Sequence, residues 1–84
     1  MIDLKDALNI MKGKHIDIYT EHNLFDDQHI EVLNFIPITD RGIGFKHGKQ
    51  NIYIEETEIK SYSIDGNRIS INGERLIITM VKRA

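Results

Sequence analysis

The chain has 84 residues, no cysteine, and 11 basic against 13 acidic side chains, a formal charge of −2. A length this short holds one domain, because a split would leave each half too little chain to bury a core. The missing cysteines exclude a disulfide framework, a thiolate nucleophile and a Cys-based zinc site.

The start, Met1 to Asp6, lacks the apolar run of a signal peptide, and no stretch approaches the ~20 apolar residues of a membrane span. A soluble, cytoplasmic single domain over residues 1–84 is therefore expected. Charge is uneven: residues 1–42 carry eight acids and four bases, whereas residues 43–84 carry five acids and seven bases. That asymmetry permits a basic surface on the C-terminal half but falls far short of a dedicated nucleic-acid binder. Isoleucine is abundant, at 16 residues against two valines and five leucines. Its branched side chain packs well on a pleated sheet, so the composition favours strands.

The first predicted element is a helix over residues 3–12. Asp3 can cap it, Leu4, Ala7, Leu8 and Met11 recur at helical spacing, Lys12 suits the C-terminal end and Gly13 suits C′. At about ten residues it is marginal alone, so its apolar stripe must pack against a sheet. From His15 the period changes to two, with Ile16 and Ile18 alternating with His15, Asp17 and Tyr19. Thr20 to Gln28 reads as a polar loop. Ile30 to Ile38 reads as one long strand with apolar residues on both faces, bent or bulged, with Pro37 at an edge. Asp40-Arg41-Gly42 turns the chain, Ile43 and Phe45 form a short strand, Gly48-Lys49 turns again, and Ile52 and Ile54 follow. Glu55 to Glu58 makes a one-turn connection to Ile59.

The last third carries an internal echo. Ser63-Ile64-Asp65-Gly66-Asn67-Arg68-Ile69-Ser70-Ile71 recurs, seven residues on, as Ser70-Ile71-Asn72-Gly73-Glu74-Arg75-Leu76-Ile77-Ile78. Asp-Gly and Asn-Gly are the dipeptides of two-residue type I′ hairpins, in which both positions take φ > 0, so a three-strand meander is expected. It places Tyr62, Ile64, Ile69, Ile71, Leu76, Ile78 and Met80 on one face. Ser61, Ser63, Arg68, Ser70, Arg75, Thr79 and Arg83 then share the other. The fold class expected is mainly β: a short helix, then a five- to six-stranded antiparallel meander or small barrel.

Lys12-Gly13-Lys14-His15-Ile16-Asp17-Ile18 resembles the approach to the first strand of the Sm-like and SH3-like small barrels. Gly48-Lys49-Gln50-Asn51-Ile52-Tyr53, with Ile59 beyond, resembles the later strands of bacterial Sm-like RNA chaperones. The resemblance implies a barrel. The Asp-x-x-Asn pair of RNA contact in that family is missing here, so no RNA-contact residue carries over.

Several segments carry residue types suited to particular chemistries. Gly42 to Lys49 has phosphate-loop composition, but five residues separate Gly42 from Gly48, and Gln50 stands where a magnesium-holding Ser or Thr belongs. A Gly-permitted hairpin is the better reading. Arg41, Lys46, His47 and Lys49 with Phe45 could form a basic-aromatic loop for single-stranded nucleic acid, against the plainer reading of a solvated turn. Glu21, His22, Asp26, Asp27 and His29 are metal-ligand types at a spacing that matches no strict pattern, and a solvated loop is favoured. The serines at 61, 63 and 70 lack a nucleophile elbow. No enzyme activity, metal or cofactor is expected. A binding module with a protein partner is the leading reading, with self-association through strand edges as a further expectation. Nucleic-acid binding is the alternative, through Arg68, Arg75 and Arg83 with the hydroxyls of Ser63, Ser70 and Thr79.

Overall fold

A computed structural model describes residues 3–22 and 27–83. Helix α1 spans Leu4–Ile10 and buries Leu4, Ala7 and Leu8, the stripe that its spacing predicts. Asp3 occupies the N-cap with extended dihedrals, but its side chain makes no capping bond; its carbonyl instead accepts from Ala7 N–H at 2.9 Å. Gly13 takes φ = +78°, the left-handed conformation that ends a helix, and its N–H donates to the Phe35 carbonyl at 2.8 Å. Phe35 N–H returns a bond to the Lys14 carbonyl at 3.1 Å.

Among the described residues eight strands follow, in two antiparallel sheets. β1 (Ile16–His22), β2 (Gln28–Val32), β6 (Ile59–Asp65), β7 (Arg68–Gly73) and β8 (Leu76–Lys82) form one sheet, in the order β2-β1-β8-β7-β6. β3 (Pro37–Ile38), β4 (Gly42–His47) and β5 (Gln50–Glu55) form the other, in chain order. A single 3-10 turn over Glu56–Glu58 returns the chain to the first sheet. The chain is therefore mainly β with antiparallel sheets, but it is not closed into a barrel and has more strands than the five or six expected.

The difference starts at the expected long strand over Ile30 to Ile38. It is two strands in two sheets, β2 and β3, joined through residues 33–36. Its apolar residues could not all face one core: Leu33 is 71 % exposed, whereas Phe35 is fully buried against Phe45. Pro37 sits on the edge strand β3, where its missing N–H costs no ladder bond.

One core unites the layers. Ile16 and Ile18 of β1, Ile69 and Ile71 of β7, and Ile78 and Met80 of β8 are at most 1 % exposed. Ile43 and Phe45 of β4 and Ile54 of β5 meet them, together with Phe35 and the α1 stripe. Each such side chain stabilises by about 1.5–3 kcal/mol relative to exposure. No helix among the described residues is long and apolar enough to cross a membrane.

The meander is present in a different register. Asp65 pairs with Arg68, so Gly66 and Asn67 form the first turn rather than Asp65 and Gly66. Gly66 has φ = +59° and Asn67 is not left-handed, the pattern of a type II′ turn with glycine first. The second connection is wider, since Asn72 pairs with Ile77. Gly73 has no positive φ; its missing Cβ instead admits Ile54, whose Cγ2 would lie 2.8 Å from a substituent there. Both register shifts are even, so the predicted faces survive although the predicted partners do not.

Candidate recognition face

The outer face of the five-stranded sheet is built row by row from the strand pairing. Ser63, Ser70, Thr79, Tyr19 and His29 are successive cross-strand partners over all five strands. Asp65, Arg68, Val81, Asp17 and Glu31 form the adjoining row. Ser61, Asn72, Ile77 and Glu21 form a row on the other side. Strand alternation produces this face, because the isoleucines between these residues point into the core.

Its most ordered part lies on β1 and β2. The Tyr19 and His29 rings stack with centroids 4.7 Å apart and planes 13° apart, and Tyr19 remains 46 % exposed. Beside them Asp17, only 8 % exposed, accepts from Arg83 Nε at Oδ2 and from Arg83 Nη2 at Oδ1, 3.0 Å away. His29 Nε2 donates to the same Oδ1 at 3.0 Å. Arg83 Nη2 also reaches Glu31 Oε2 at 3.4 Å, and His15 Nε2 lies 3.1 Å from Glu31 Oε1. The Arg83 hydrogen bond is the main cause holding the Asp17 carboxyl down at about 2, with His29 adding to it and partial burial opposing it. The carboxylate raises the Arg83 guanidinium in turn.

The residues singled out in the sequence divide between several places. Ser63, Ser70 and Thr79 stand in one row, with Ser70 Oγ 3.4 Å from Thr79 Oγ1. Arg68 is on the same face, beside Asp65. Arg83 is there too, but its guanidinium is engaged by Asp17 and Glu31. Arg75 lies in the β7–β8 connection, at the opposite end of β7 from Arg68, so no arginine cluster forms. The expectation that Arg68 and Arg75 emerge on one face in neighbouring strands is corrected by the wider second connection, which leaves Arg75 outside both strands.

The 41–49 segment also departs from expectation. Phe45 is fully buried, so its ring is not offered to a base; Lys46 and Lys49 are exposed without it. Arg41 adopts φ = 63° in the turn before β4, and its carbonyl accepts from Glu56 N–H. Gly44 stands opposite Tyr53, and a Cβ there would lie 2.4 Å from the tyrosine Cβ. The glycines thus make room for Tyr53. Of the metal-type residues, Asp26 lies outside the described residues. Glu21 and His22 end β1 and Asp27 precedes β2, while His29 is held by Asp17. Among the described residues no group of three His, Asp or Glu side chains is placed to hold a metal ion.

Sequence reasoning missed the cluster of Asp17, Glu31 and Arg83 with its two histidines. The alternation of β1 was visible, but its pairing with β8 joins residues from opposite ends of the chain. No protein family, no characterised protein and no solved structure matches the chain.

Proposed function

We propose that this chain is a cytoplasmic, non-enzymatic binding module that engages a protein partner bearing basic groups through the outer face of the five-stranded sheet. The observation that carries the reading is the charge of that face. With the Asp17–Arg83 pair set aside, the described residues of that face leave Glu21, Glu31 and Asp65 against Arg68. A phosphate backbone needs a positive face, whereas a basic peptide is matched by this one. The Tyr19–His29 stack supplies a rigid aromatic anchor with little side-chain entropy left to lose, as interface hot spots require. The Sm-like alternative, RNA binding, would have to use the lysines of the β4–β5 hairpin, from which Phe45 is withdrawn.

Titration of fluorescent Lys/Arg-rich peptides and of single-stranded oligonucleotides tests the reading. Peptide binding should weaken on adding salt and fall by roughly thirty-fold in Tyr19→Ala, the scale of one hot spot. Tight oligonucleotide binding, or peptide binding indifferent to Tyr19, would overturn it.

A further inference from the structure

Among the described residues the two sheets leave four edges, of which β3 and β2 are blunted. β3 is two residues long and begins with Pro37. β2 carries His29 and Glu31 into the charged cluster. β5, Gln50–Glu55, ends on Glu55, and its Tyr53 lies over Gly42 and Gly44 on the face of its own sheet. β6 is irregular at Ile59–Ser61, but from Ser61 to Asp65 it pairs regularly, is exposed apart from Ile64, and bears one charge, at Asp65. An exposed edge with so little charge is a template for another strand.

The backbone of β6 is set up for this. A two-residue turn makes Asp65–Arg68 a hydrogen-bonded pair, and alternation then turns the N–H and C=O groups of Tyr62 and Ile64 away from β7. Their side chains lie on the inner face, at the rim of the core. Tyr62 is 47 % exposed and borders a recess with Leu4 and Ile59. Ile64 borders a second recess with Ile10, which is 59 % exposed. Apolar surface and free backbone groups therefore coincide along one edge.

We infer that β6 pairs with β6 of a second copy of this chain, antiparallel, about a two-fold axis perpendicular to the sheet at Ser63. The sequence of the edge is self-complementary in that register. Residues whose numbers add to 126 face each other, so Tyr62 lies opposite Ile64 of the second copy, and the reverse. Each pair exchanges its outward N–H and C=O groups and places an aromatic ring beside a β-branched side chain, a favourable cross-strand pair. Tyr62 then covers the recess bordered by Ile10 and Ile64 across the axis. On the outer face Ser63 meets Ser63, and Ser61 meets Asp65 as donor to acceptor. A perpendicular two-fold keeps both outer faces on one side of the sheet. The row from Ser63 to His29 thus continues through the axis into a ten-stranded face with two Tyr19–His29 stacks. From β1 to β1 this is seven strand spacings, roughly 34 Å. On the function proposed above, that spacing makes the module bivalent.

Cysteine cross-linking tests the register directly, because the chain has no cysteine of its own. Ser63→Cys places two thiols face to face at the axis, in a non-hydrogen-bonded pair whose Cα separation suits a disulfide. Ser61→Cys places its thiols apart, each opposite Asp65. Mild oxidation should give a covalent dimer of twice the 9.8 kDa chain mass for Ser63→Cys, with little for Ser61→Cys. Sedimentation equilibrium should show the unmodified chain as a dimer and Tyr62→Lys as a folded monomer, its strand spectrum retained. A wild-type chain that stays monomeric, equal cross-linking at both positions, or a Tyr62→Lys variant that remains dimeric would overturn the inference. Peptide binding through Tyr19 is read separately, so the dimer and the recognition face can fail independently.

Discussion

Arg83 closes a two-pronged ion pair on Asp17, 66 positions earlier in the chain, and so fastens the last strand to the first. The two partners are unequal. Asp17 has 12 % of its side chain exposed and Arg83 has 45 %. Removing Arg83 leaves a poorly hydrated carboxylate with only His29, whereas removing the charge of Asp17 leaves a guanidinium that water and Glu31 can serve. Arg83→Ala is therefore expected to lower the urea midpoint more than Asp17→Asn. The double variant should recover part of the loss, because it no longer strands the charge. Urea titrations of the three variants check this; a double variant equal to the sum of the two singles would contradict the coupling.

Two glycines of the meander are needed for different reasons, and substitution separates them. Gly66 has φ = +59° and open space around it, so Gly66→Ala meets only the backbone penalty of a positive φ, about 1–3 kcal/mol. Gly73 has no such dihedral, but its substituent would meet Ile54 Cγ2 at 2.8 Å and the Leu76 carbonyl at 2.9 Å. Gly73→Ala should cost about 1–3 kcal/mol as overpacking. Ile54→Leu removes the offending methyl, so it should partly rescue Gly73→Ala and leave Gly66→Ala unchanged in thermal denaturation.

The same glycines show how far the sequence could be read. Asp65-Gly66 announced a hairpin, but glycine serves either the second position of a type I′ turn or the first of a type II′ turn. The structure takes the second option, and the pairing moves by two residues. Alternation has a period of two, so the side chains within the strands keep their predicted faces, whereas Arg75 falls in the connection. Helix α1 was legible because Leu4, Ala7 and Leu8 carry their own spacing. The break between β2 and β3 was present as a conflict, with Leu33 and Phe35 at odds with Val32, but not its resolution into a second sheet. The Asp17–Arg83 pair was not legible at all, because no local pattern records which distant strand will lie beside β1.

The arginines of the echo are expected to act separately. Arg68 begins β7 and Arg75 lies beyond its end, about 20 Å away at the rise of an extended strand. Side chains so far apart without shared partners contribute additively. Arg68→Glu changes the charge of the outer face beside Asp65 and should strengthen attraction for a basic peptide. Arg75→Glu, at the connection, should change it less. Peptide titrations of the single and double variants check this; a double variant departing from additivity by more than about 0.5 kcal/mol would place the two residues in one site after all.

The depressed carboxyl of Asp17 makes a signed prediction for acid stability. Its folded-state pKa falls from 3.8 to about 2, first through the Arg83 hydrogen bond and then through His29. The folded chain therefore releases this proton more readily than the unfolded one. Stability from the pair is fully present above about pH 4 and is lost as pH falls through about 2, where the carboxyl protonates in both states. Arg83 stays cationic throughout, since its own pKa is raised. Other carboxylates titrate in the same window, so the informative quantity is the difference between wild type and Asp17→Asn. That difference in urea midpoint should be constant from neutral pH to about pH 4 and should then shrink towards pH 2, as the wild type loses what the variant never had. Parallel curves over the whole range would show that Asp17 titrates alike in both states, and that Arg83 does not hold it ionised.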